Sequence, residues 1–395
     1  MWKQFCNKHS DTKICSLSKF KKVFYTDFNL GFGNPHTDTC STCKKFKVSI
    51  KNTKDIAEKG DLRTQYRLHK LRAKKFYDTM KTESADTIKI VFDMQQNQPL
   101  PKLSVGEVFF SRQVWLYNLT IMIHKRKQEK KYIFHYVWLE TESGRGANEV
   151  ASCVRHFLDH MEENFENLLG FKPEKKLKLV LFSDACASQN KNVIVMGALM
   201  NFIERSKIFS TMQHIFPIRG HSYMPADRVF GRIEKEYRKH EEMISPKDYC
   251  DILEKTGNLM RYGKDWTVRE LKTQAKKMFK SKLPFKISEA KVIQYQRVRD
   301  KVKISVSTTY SGSMTECEVL KKTIRNSRLM EIAQILPKRN MVNVKKRDNV
   351  KSLLECVEIP EHAKQFYEEV LAAENSGNDD EENINKEYDE RENIF

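Results

Sequence analysis

Long apolar runs are absent from this sequence, since no stretch of eighteen consecutive apolar residues occurs in its 395 positions. A membrane-spanning helix needs about 20 predominantly apolar residues, so we expect none here. The first residues, MWKQFCNKHSDTK, also lack the apolar core of a secretory signal peptide, and we expect that the chain is not secreted. No self-similarity at a solenoid period is present, which argues against a repeat architecture.

An even set of closely spaced cysteines is also absent. The nine cysteines are an odd number and lie scattered along the chain, which favours free thiols or metal ligands over a disulfide framework. Apolar residues make up 39% of the sequence and include 23 Phe, so the composition is not that of a disordered chain. A chain of this length can hold two or three domains, each with its own core.

Charge is distributed unevenly. The formal net charge is +19, yet residues 374–395 contain nine acidic and two basic side chains, so residues 1–373 carry about +26. A basic body of this size predicts a polyanionic partner, of which nucleic acid is the commonest, although a generally Lys-rich soluble surface is the alternative. The tail is rich in Asn and nearly free of apolar residues, and we predict that residues 373–395 are disordered.

Four regions follow from these patterns. Residues 1–82 are basic with helical spacing of aromatic residues, and residues 84–245 alternate between strand and helix patterns. Residues 246–372 begin with a helix and then contain two β-rich runs, AKVIQYQ and KISVSTTY, which we interpret as a small hairpin module. The disordered tail, 373–395, is the fourth region.

The second region carries the fold prediction. Its segments alternate in the order β-β-β-α-β-α-β-α, and the five predicted strands lie in DTIKIVFDMQ, EVFFSRQVWLYNLTIMIHK, KKYIFHYVWLE, LKLVLFSDA and IFSTMQHIFPIRG. A three-strand meander followed by helical crossovers onto a mixed sheet is the order of the RNase H-like fold. The predicted fold class is therefore α/β with an RNase H-like core, a helical N-terminal region and a small C-terminal β-containing module.

The first and fourth predicted strands both end at an aspartate, Asp93 and Asp184. A lone Asp at such a place is more often a helix cap or turn former, so a site requires further carboxylates in matching positions. In the RNase H-like order the first strand is central and the fourth lies beside it, so both side chains would emerge at one edge. The helix after the fifth strand carries Asp227 in its first turn, and Glu234, two turns later on the same face, is the alternative third acid.

Three clustered carboxylates repel one another unless a cation neutralises them. Two Mg²⁺ ions about 4 Å apart would do so, and they would activate a water or hydroxyl and stabilise the leaving oxygen of a phosphodiester displacement. Hard oxygen ligands with amides nearby favour Mg²⁺ or Mn²⁺ over zinc. We therefore predict Asp93, Asp184 and Asp227 as metal-binding catalytic residues.

A second motif, DTCSTC, places Cys40 and Cys43 in C-x2-C spacing. Thiolates at this spacing can face one tetrahedral ion, so the pair is half of a structural zinc site. His69, on the following predicted helix, is the best candidate for a third ligand. The fourth ligand stays open, and two cysteines in a loop without metal remain the alternative. The other candidates are His36, Asp38 and a rival pair with the same spacing, Cys6 and His9.

Several short motifs together resemble a transposon-derived family that is abundant in insect genomes and mostly known as an uncharacterised domain with a transposase-like, RNase H-type core. The resemblance covers roughly residues 16–310 and is carried by FDMQQNQPLPKL, YNLTI, SGRGANEV, FSDACASQNKN and GHSYMPADRVFGRIEK, with PHTDTCSTCKKF and LHKLRAKKFYDTM before them and LPFKISEAKVI after them.

The resemblance implies that Asp93, Asp184 and Asp227 lie where such transposases place their metal-binding carboxylates, and that His221 supports the third of them near the scissile phosphate. It implies a nuclear protein that cuts and joins DNA as a homo-oligomer. A domesticated, catalytically silent DNA-binding protein is the alternative that the residues leave open.

Overall fold

The computed structural model describes residues 1–9, 15–28, 39–125, 129–299, 301–324, 333–338, 341–372 and 374–375. The candidate zinc ligands His36 and Asp38 and nearly all of the acidic tail lie outside this part of the chain. None of the helices within the described residues combines the length and the apolar character needed to cross a bilayer.

The protein is a mixed α/β fold. The strands of the described residues are β1 Thr87–Met94, β2 Gln98–Leu100, β3 Val114–Ile123, β4 Ile133–Leu139, β5 Leu177–Phe182, β6 Phe209–Ile215, β7 Asn258–Arg261, β8 Val292–Val298, β9 Lys301–Ser307, β10 Thr315–Cys317, β11 Met341–Val342 and β12 Glu374–Asn375. The helices are α1 Trp2–Lys8, α2 Leu17–Thr26, α3 Ser41–Asn52, α4 Ile56–Lys81, α5 Ala147–Glu163, α6 Phe165–Leu169, α7 Val193–Arg205, α8 Pro225–Tyr237, α9 Pro246–Thr256, α10 Leu271–Met278, α11 Val344–Leu354 and α12 Glu361–Leu371.

One large mixed sheet organises the molecule, in the strand order β10-β9-β8-β6-β5-β1-β3-β4-β7, with β2 paired to β3. The expected mixed sheet is therefore confirmed. β1 lies between two long neighbours: it runs antiparallel to β3, with Asp93 opposite Thr120, and parallel to β5, with Val91 opposite Phe182. Because β1 and β5 are parallel, their carboxyl ends meet at the same edge of the sheet.

Two details of the strand prediction differ. Residues Gly106–Phe110 form a 3₁₀ helix, and the second long strand begins only at Val114. The prediction was wrong there because Phe109 and Phe110 are 85% and 86% exposed, so their apolar character does not mark a buried strand. The predicted C-terminal hairpin, β8–β9, pairs with β6 and extends the central sheet, which covers an edge of unpaired backbone groups.

Each face of the sheet is covered by helices. α5, α7 and α10 pack on one face, whereas α8, α9, α11, α12 and the C-terminal half of α4 pack on the other. Side chains alternate along a strand, and in β1 Ile90 and Phe92 belong to the first core while Val91 belongs to the second. By the same alternation, Asp93 lies on the side of the sheet that α8 covers.

The long helix α4 joins the N-terminal region to this second core. Asp55 caps its first turn by accepting a hydrogen bond from the backbone N–H of Glu58 at 2.8 Å. Its C-terminal half buries Phe76 and Met80, and the Phe76 ring meets the Phe182 ring edge-to-face at 5.7 Å. The buried side chains of α4 thus pack its C-terminal half directly against β5, the strand that precedes Asp184.

We expect Phe76→Ala to lower the free energy of unfolding by about 3–5 kcal/mol, because the removed ring is fully buried and leaves a cavity. Phe110→Ala is the matched control, since the same side chain there is 86% exposed, and it should change stability by less than about 0.5 kcal/mol. Chemical denaturation of both variants measures the difference. Equal effects would contradict the packing of α4 on the core.

Candidate functional site

Asp93 is the second-last residue of β1. Its carboxylate oxygen Oδ1 accepts a hydrogen bond from the backbone N–H of Met94 at 2.9 Å. Buried polar side chains of β3 lie beside Asp93. Asn118 donates a hydrogen bond to the side chain of Gln95 at 2.9 Å, and Thr120, which is paired with Asp93, forms a hydrogen bond with His135 at 2.9 Å. The carboxylate therefore stands at the border of a buried polar layer rather than at an open surface.

Asp184 follows β5 by two residues and begins a tight turn into α7. Its Oδ1 accepts hydrogen bonds from the backbone N–H of Cys186 at 3.2 Å and from the side-chain amide of Asn190. Asn192 then caps α7, because its Oδ1 accepts from the N–H groups of Ile194 and Val195, both at 3.0 Å. The amide side chains after the strand thus fix the turn and orient the carboxylate.

Asn190 has a second relevant feature. The residue is 1% exposed, and its Oδ1 has no hydrogen-bond partner among the described residues. A buried, unpaired amide oxygen carries a free-energy cost unless a water or a cation contacts it. It lies next to Asp184 and adds a hard oxygen donor to that end of the site.

Asp227 lies in the first turn of α8, which begins at Pro225, a residue suited to this position. Its Oδ2 accepts a hydrogen bond from the backbone N–H of Met224 at 2.6 Å, so part of its role is to cap the helix. In all three aspartates the carboxylate accepts at least one hydrogen bond from the protein.

The three aspartates are electrostatically linked. Burial raises the pKa of Asp93 well above its usual value, and the carboxylates of Asp184 and Asp227 raise it further, whereas Arg145 opposes them. Burial also raises the pKa of Asp184, against hydrogen bonds from Asn190 and Cys186 and the charge of Arg145. The pKa of Asp227 is raised by burial first and by Asp184 in addition. The structure thus brings the three residues predicted from sequence near one another.

The spacing of these carboxylates is looser than that of a single-ion site. Within the described residues they do not form a group whose ligand atoms all lie within 4.8 Å of one another. Ligands of two ions about 4 Å apart need not meet that condition, because each ion takes only some of them. Mg²⁺ binding at this place therefore stays a prediction.

Glu234, the alternative third acid, lies elsewhere on α8. Its carboxylate pairs with Arg238 at 3.3 Å, and it is not among the groups that shift the pKa of any of the three aspartates. Among the described residues, Asp227 is therefore the acid of α8 that is linked to Asp93 and Asp184.

A second cluster consists of Cys40, Cys43, His69 and His221, and of these only His221 is close to Asp227 in sequence. Its four possible ligand atoms all lie within 4.8 Å of one another, and this group can bind a metal ion such as zinc. The Nε2 atom of His69 is 3.4 Å from Cys40 Sγ and 3.1 Å from His221 Nε2. His221 Nε2 is in turn 3.3 Å from Cys43 Sγ.

These distances are close to those of tetrahedral coordination and slightly shorter. Zn–S bonds of about 2.3 Å and Zn–N bonds of about 2.0–2.1 Å place sulfur and nitrogen about 3.6 Å apart and two nitrogens about 3.3 Å apart. Burial lowers the pKa of His69 and of His221, and Lys70 lowers that of His221 further. Neutral imidazoles are the form that binds metal.

His221 is the fourth candidate ligand beside Cys40, Cys43 and His69. His221, predicted to support Asp227, lies against Cys43 instead. Cys6 and His9 are not part of the cluster. His221 is 152 residues away from His69, so ligand spacing carries no signal for it, and only the position of its loop against α4 reveals the contact.

Gly220 permits this approach of loop and helix. Its φ of +77° is a left-handed conformation that side chains rarely adopt. A Cβ atom there would lie 2.7 Å from the Cα of Cys40, so the loop and the start of α3 could not come as close. Tyr77 of α4 fastens the same loop by donating its hydroxyl to the carbonyl of His221 at 2.9 Å.

Residues 113–312 match the model of a family described as a domain of unknown function, DUF7869. The match spans half of the chain, and the protein belongs to this family. It contains Asp184, His221 and Asp227, whereas Asp93 and the two cysteines precede it. Comparisons with the curated proteins and with the solved structures find no match.

We expect Asp93→Asn to raise the thermal unfolding temperature by a few degrees at pH 7 without divalent cations, because it removes a charge that burial and two carboxylates disfavour. A raised native pKa means that stability is lost as pH rises from the unfolded value, about 3.9, through the native one. The gain should therefore vanish below about pH 4. Thermal melts across this range test it, with Asp61→Asn on the exposed face of α4 as control. A gain that is independent of pH would contradict the carboxylate cluster.

Proposed function

We propose that the protein is a transposase-like enzyme that cleaves and joins DNA phosphodiesters with two divalent cations. The observation that carries this proposal is the convergence of Asp93, Asp184 and Asp227, each of which has a raised pKa caused by burial and, for two of them, by a neighbouring carboxylate. Such a cluster of acids is stabilised by cations, and clustered carboxylates at strand ends are the setting for two-metal phosphoryl chemistry.

The arrangement of strands supports an RNase H-like core. The order β6-β5-β1-β3-β4, with β1 antiparallel to β3 and parallel to β5, follows from a meander succeeded by two helical crossovers. For residues 84–245 the sequence predicted the chain order β-β-β-α-β-α-β-α, with the first strand central and the fourth strand beside it. This strand order brings the ends of β1 and β5 to one edge, and α8 crosses the face on which Asp93 lies.

In the proposed site, Mg²⁺ or Mn²⁺ ions would supply activation of the attacking water and stabilisation of the leaving oxygen. Asp93 would bind centrally, because its pKa responds to both other carboxylates. Asp184 is oriented by Asn190 and the N–H of Cys186, and Asp227 by the N–H of Met224. Arg145, whose charge lowers the pKa of both Asp93 and Asp184, is suited to hold a substrate phosphate.

DNA is the proposed partner because α3 and α4, the helices beside the Cys/His cluster, carry an excess of positive charge. α3 contains four lysines and no acid, and α4 contains eight basic and three acidic residues. Burial raises the pKa of Cys43, whereas Lys70 and Lys47 lower it. Burial, His221 and Arg72 lower the pKa of His69, so this positive charge reaches the Cys/His cluster. Phosphate contacts of this kind position a duplex without reading its sequence. A nuclear location and a homo-oligomer assembled on DNA belong to the same proposal.

A catalytically silent DNA-binding protein is the second candidate. The observation that favours it is the spacing of the three carboxylates, whose oxygens do not all lie within 4.8 Å of one another among the described residues. Both candidates bind DNA, but only the enzyme nicks it in the presence of Mg²⁺. Cleavage of supercoiled plasmid therefore separates the two.

We expect Asp93→Asn, Asp184→Asn and Asp227→Asn each to reduce Mg²⁺-dependent DNA cleavage by at least about 100-fold, because the amide keeps the size of the side chain and loses the charge that holds a cation. DNA affinity should change little, since binding comes from Lys and Arg side chains. Plasmid nicking measures cleavage, and fluorescence anisotropy measures binding.

Glu234→Gln is the matched control, because Glu234 is an acid of the same helix that pairs with Arg238. The Glu234→Gln variant should cleave DNA as well as the wild-type protein does. Loss of cleavage in Glu234→Gln, with full activity in Asp227→Asn, would move the third ligand two turns along α8. Equal cleavage by all four variants, in preparations free of contaminating nuclease, would refute the carboxylate site.

DNA affinity should fall steeply with salt, because each neutralised phosphate releases counterions. For 6–10 phosphate contacts, the loss between about 50 and 200 mM salt is about 10³–10⁵-fold. Titrations of one labelled duplex at several salt concentrations give the slope. A flat response would contradict the basic surface as the DNA-binding element.

A further inference from the structure

α3 is attached to the protein by very few buried groups. None of its twelve residues is buried, and among the described residues the ring of Phe46 contacts the rings of Tyr66 at 5.8 Å and His69 at 6.4 Å. The buried residue at this end is Cys40, which immediately precedes the helix and is 5% exposed. A helix of this length gains most of its stability from packing, so α3 requires another anchor.

The Cys/His cluster supplies ligands from three separate parts of the chain. Cys40 and Cys43 lie at the start of α3, His69 lies in the middle of α4, and His221 lies in the loop between β6 and α8. The loop reaches the cluster because Gly220 lets it pass directly over Cys40. One ion bound here would hold all three parts together.

We propose that Cys40, Cys43, His69 and His221 bind one structural Zn²⁺, which fastens the α3–α4 helix pair to the loop of residues 216–224 and so fixes the position of Asp227. Three pairs of ligand atoms lie 3.1–3.4 Å apart, close to the separations of a tetrahedral zinc site. Two thiolates and two imidazoles select zinc over magnesium. Four protein ligands leave no open position, so this ion has a structural role and is distinct from the catalytic cations.

The segment between His221 and Asp227 is short, and several hydrogen bonds hold it in place. The N–H of His221 donates to the carbonyl of Ile218 at 2.8 Å, closing a turn. Tyr77 donates to the carbonyl of His221 at 2.9 Å. Three residues later Met224, 1% exposed, donates its N–H to the Asp227 carboxylate at 2.6 Å. Movement of the loop would therefore displace the first turn of α8.

The role of Asp227 as a catalytic ligand rests on the proposed function, but the ion and its effect on the loop do not. The first experiment measures zinc in the full-length protein purified without chelator, together with its affinity by competition with a chromophoric chelator. We expect about one ion per chain in the unchanged protein. His221→Ala should weaken zinc binding at least about 100-fold, because one of four ligands is lost.

His221→Cys should restore tight zinc binding, since a thiolate can replace the imidazole in a tetrahedral site. His240→Ala is the matched control, because His240 is an exposed histidine outside the cluster. Cobalt substitution adds a readout of ligand type: the thiolate-to-cobalt absorption should disappear in the double variant Cys40→Ser, Cys43→Ser. Absence of zinc from the unchanged protein, or tight zinc binding by His221→Ala, would overturn the proposal.

The second experiment tests the link to the loop by hydrogen exchange with and without zinc. Removal of the ion should accelerate exchange in α3 and in residues 216–224 together, while β1 and β5 stay protected. Gly220→Ala should do the same, because its Cβ would meet Cys40. Faster exchange in α3 alone would overturn the proposed link, even if zinc is bound.

These readouts need no DNA and no Mg²⁺, so the two proposals fail separately. A zinc-loaded protein that never nicks DNA contradicts the carboxylate enzyme and leaves the zinc link standing. A protein that cleaves DNA through Asp93, Asp184 and Asp227 but binds no zinc contradicts the link alone.

Discussion

The parallel pairing of β1 with β5 is the constraint on which the other features depend. It aligns Val91 with Phe182 and brings the carboxyl ends of both strands to one edge, where Asp93 and Asp184 emerge. Each carboxylate is half-buried, and burial is the largest cause of its raised pKa. The polar turn of residues 184–192 compensates part of the cost of burial, because its amides and N–H groups bond the Asp184 carboxylate.

α4 connects the two candidate metal sites. Phe76 packs against Phe182 of the strand that leads to Asp184, Tyr77 bonds the loop that leads to Asp227, and His69 belongs to the Cys/His cluster. Burial raises the pKa of the Tyr77 hydroxyl, and the carboxylate of Asp227 raises it further, so the helix is within electrostatic reach of the carboxylates. One face of a single helix therefore orients the basic N-terminal region, the loop before α8 and the site.

Much of the central fold is predictable from the sequence, because apolar runs of strand length mark β1, β4 and β5. Prediction was wrong for residues 107–110, where exposed aromatic residues imitate a strand. The pairing of β8 with β6 could not be predicted, because it depends on contacts between residues distant in sequence. The same holds for His221, because its partner His69 is 152 residues away. Local patterns predicted three of the four cluster ligands, and the fourth required the fold.

The long separation between the cluster ligands also orders events during synthesis of the chain. Cys40 and Cys43 leave the ribosome well before the residues of β6 and its following loop exist, so they can meet His221 only after that later part of the chain has been made. Closing so long a loop is slow because its entropy must be offset by contacts formed late. Until then the N-terminal helices are a basic segment with two uncoordinated thiols. The finished cluster therefore joins an early and a late part of the chain, because it needs His221 beside the two cysteines.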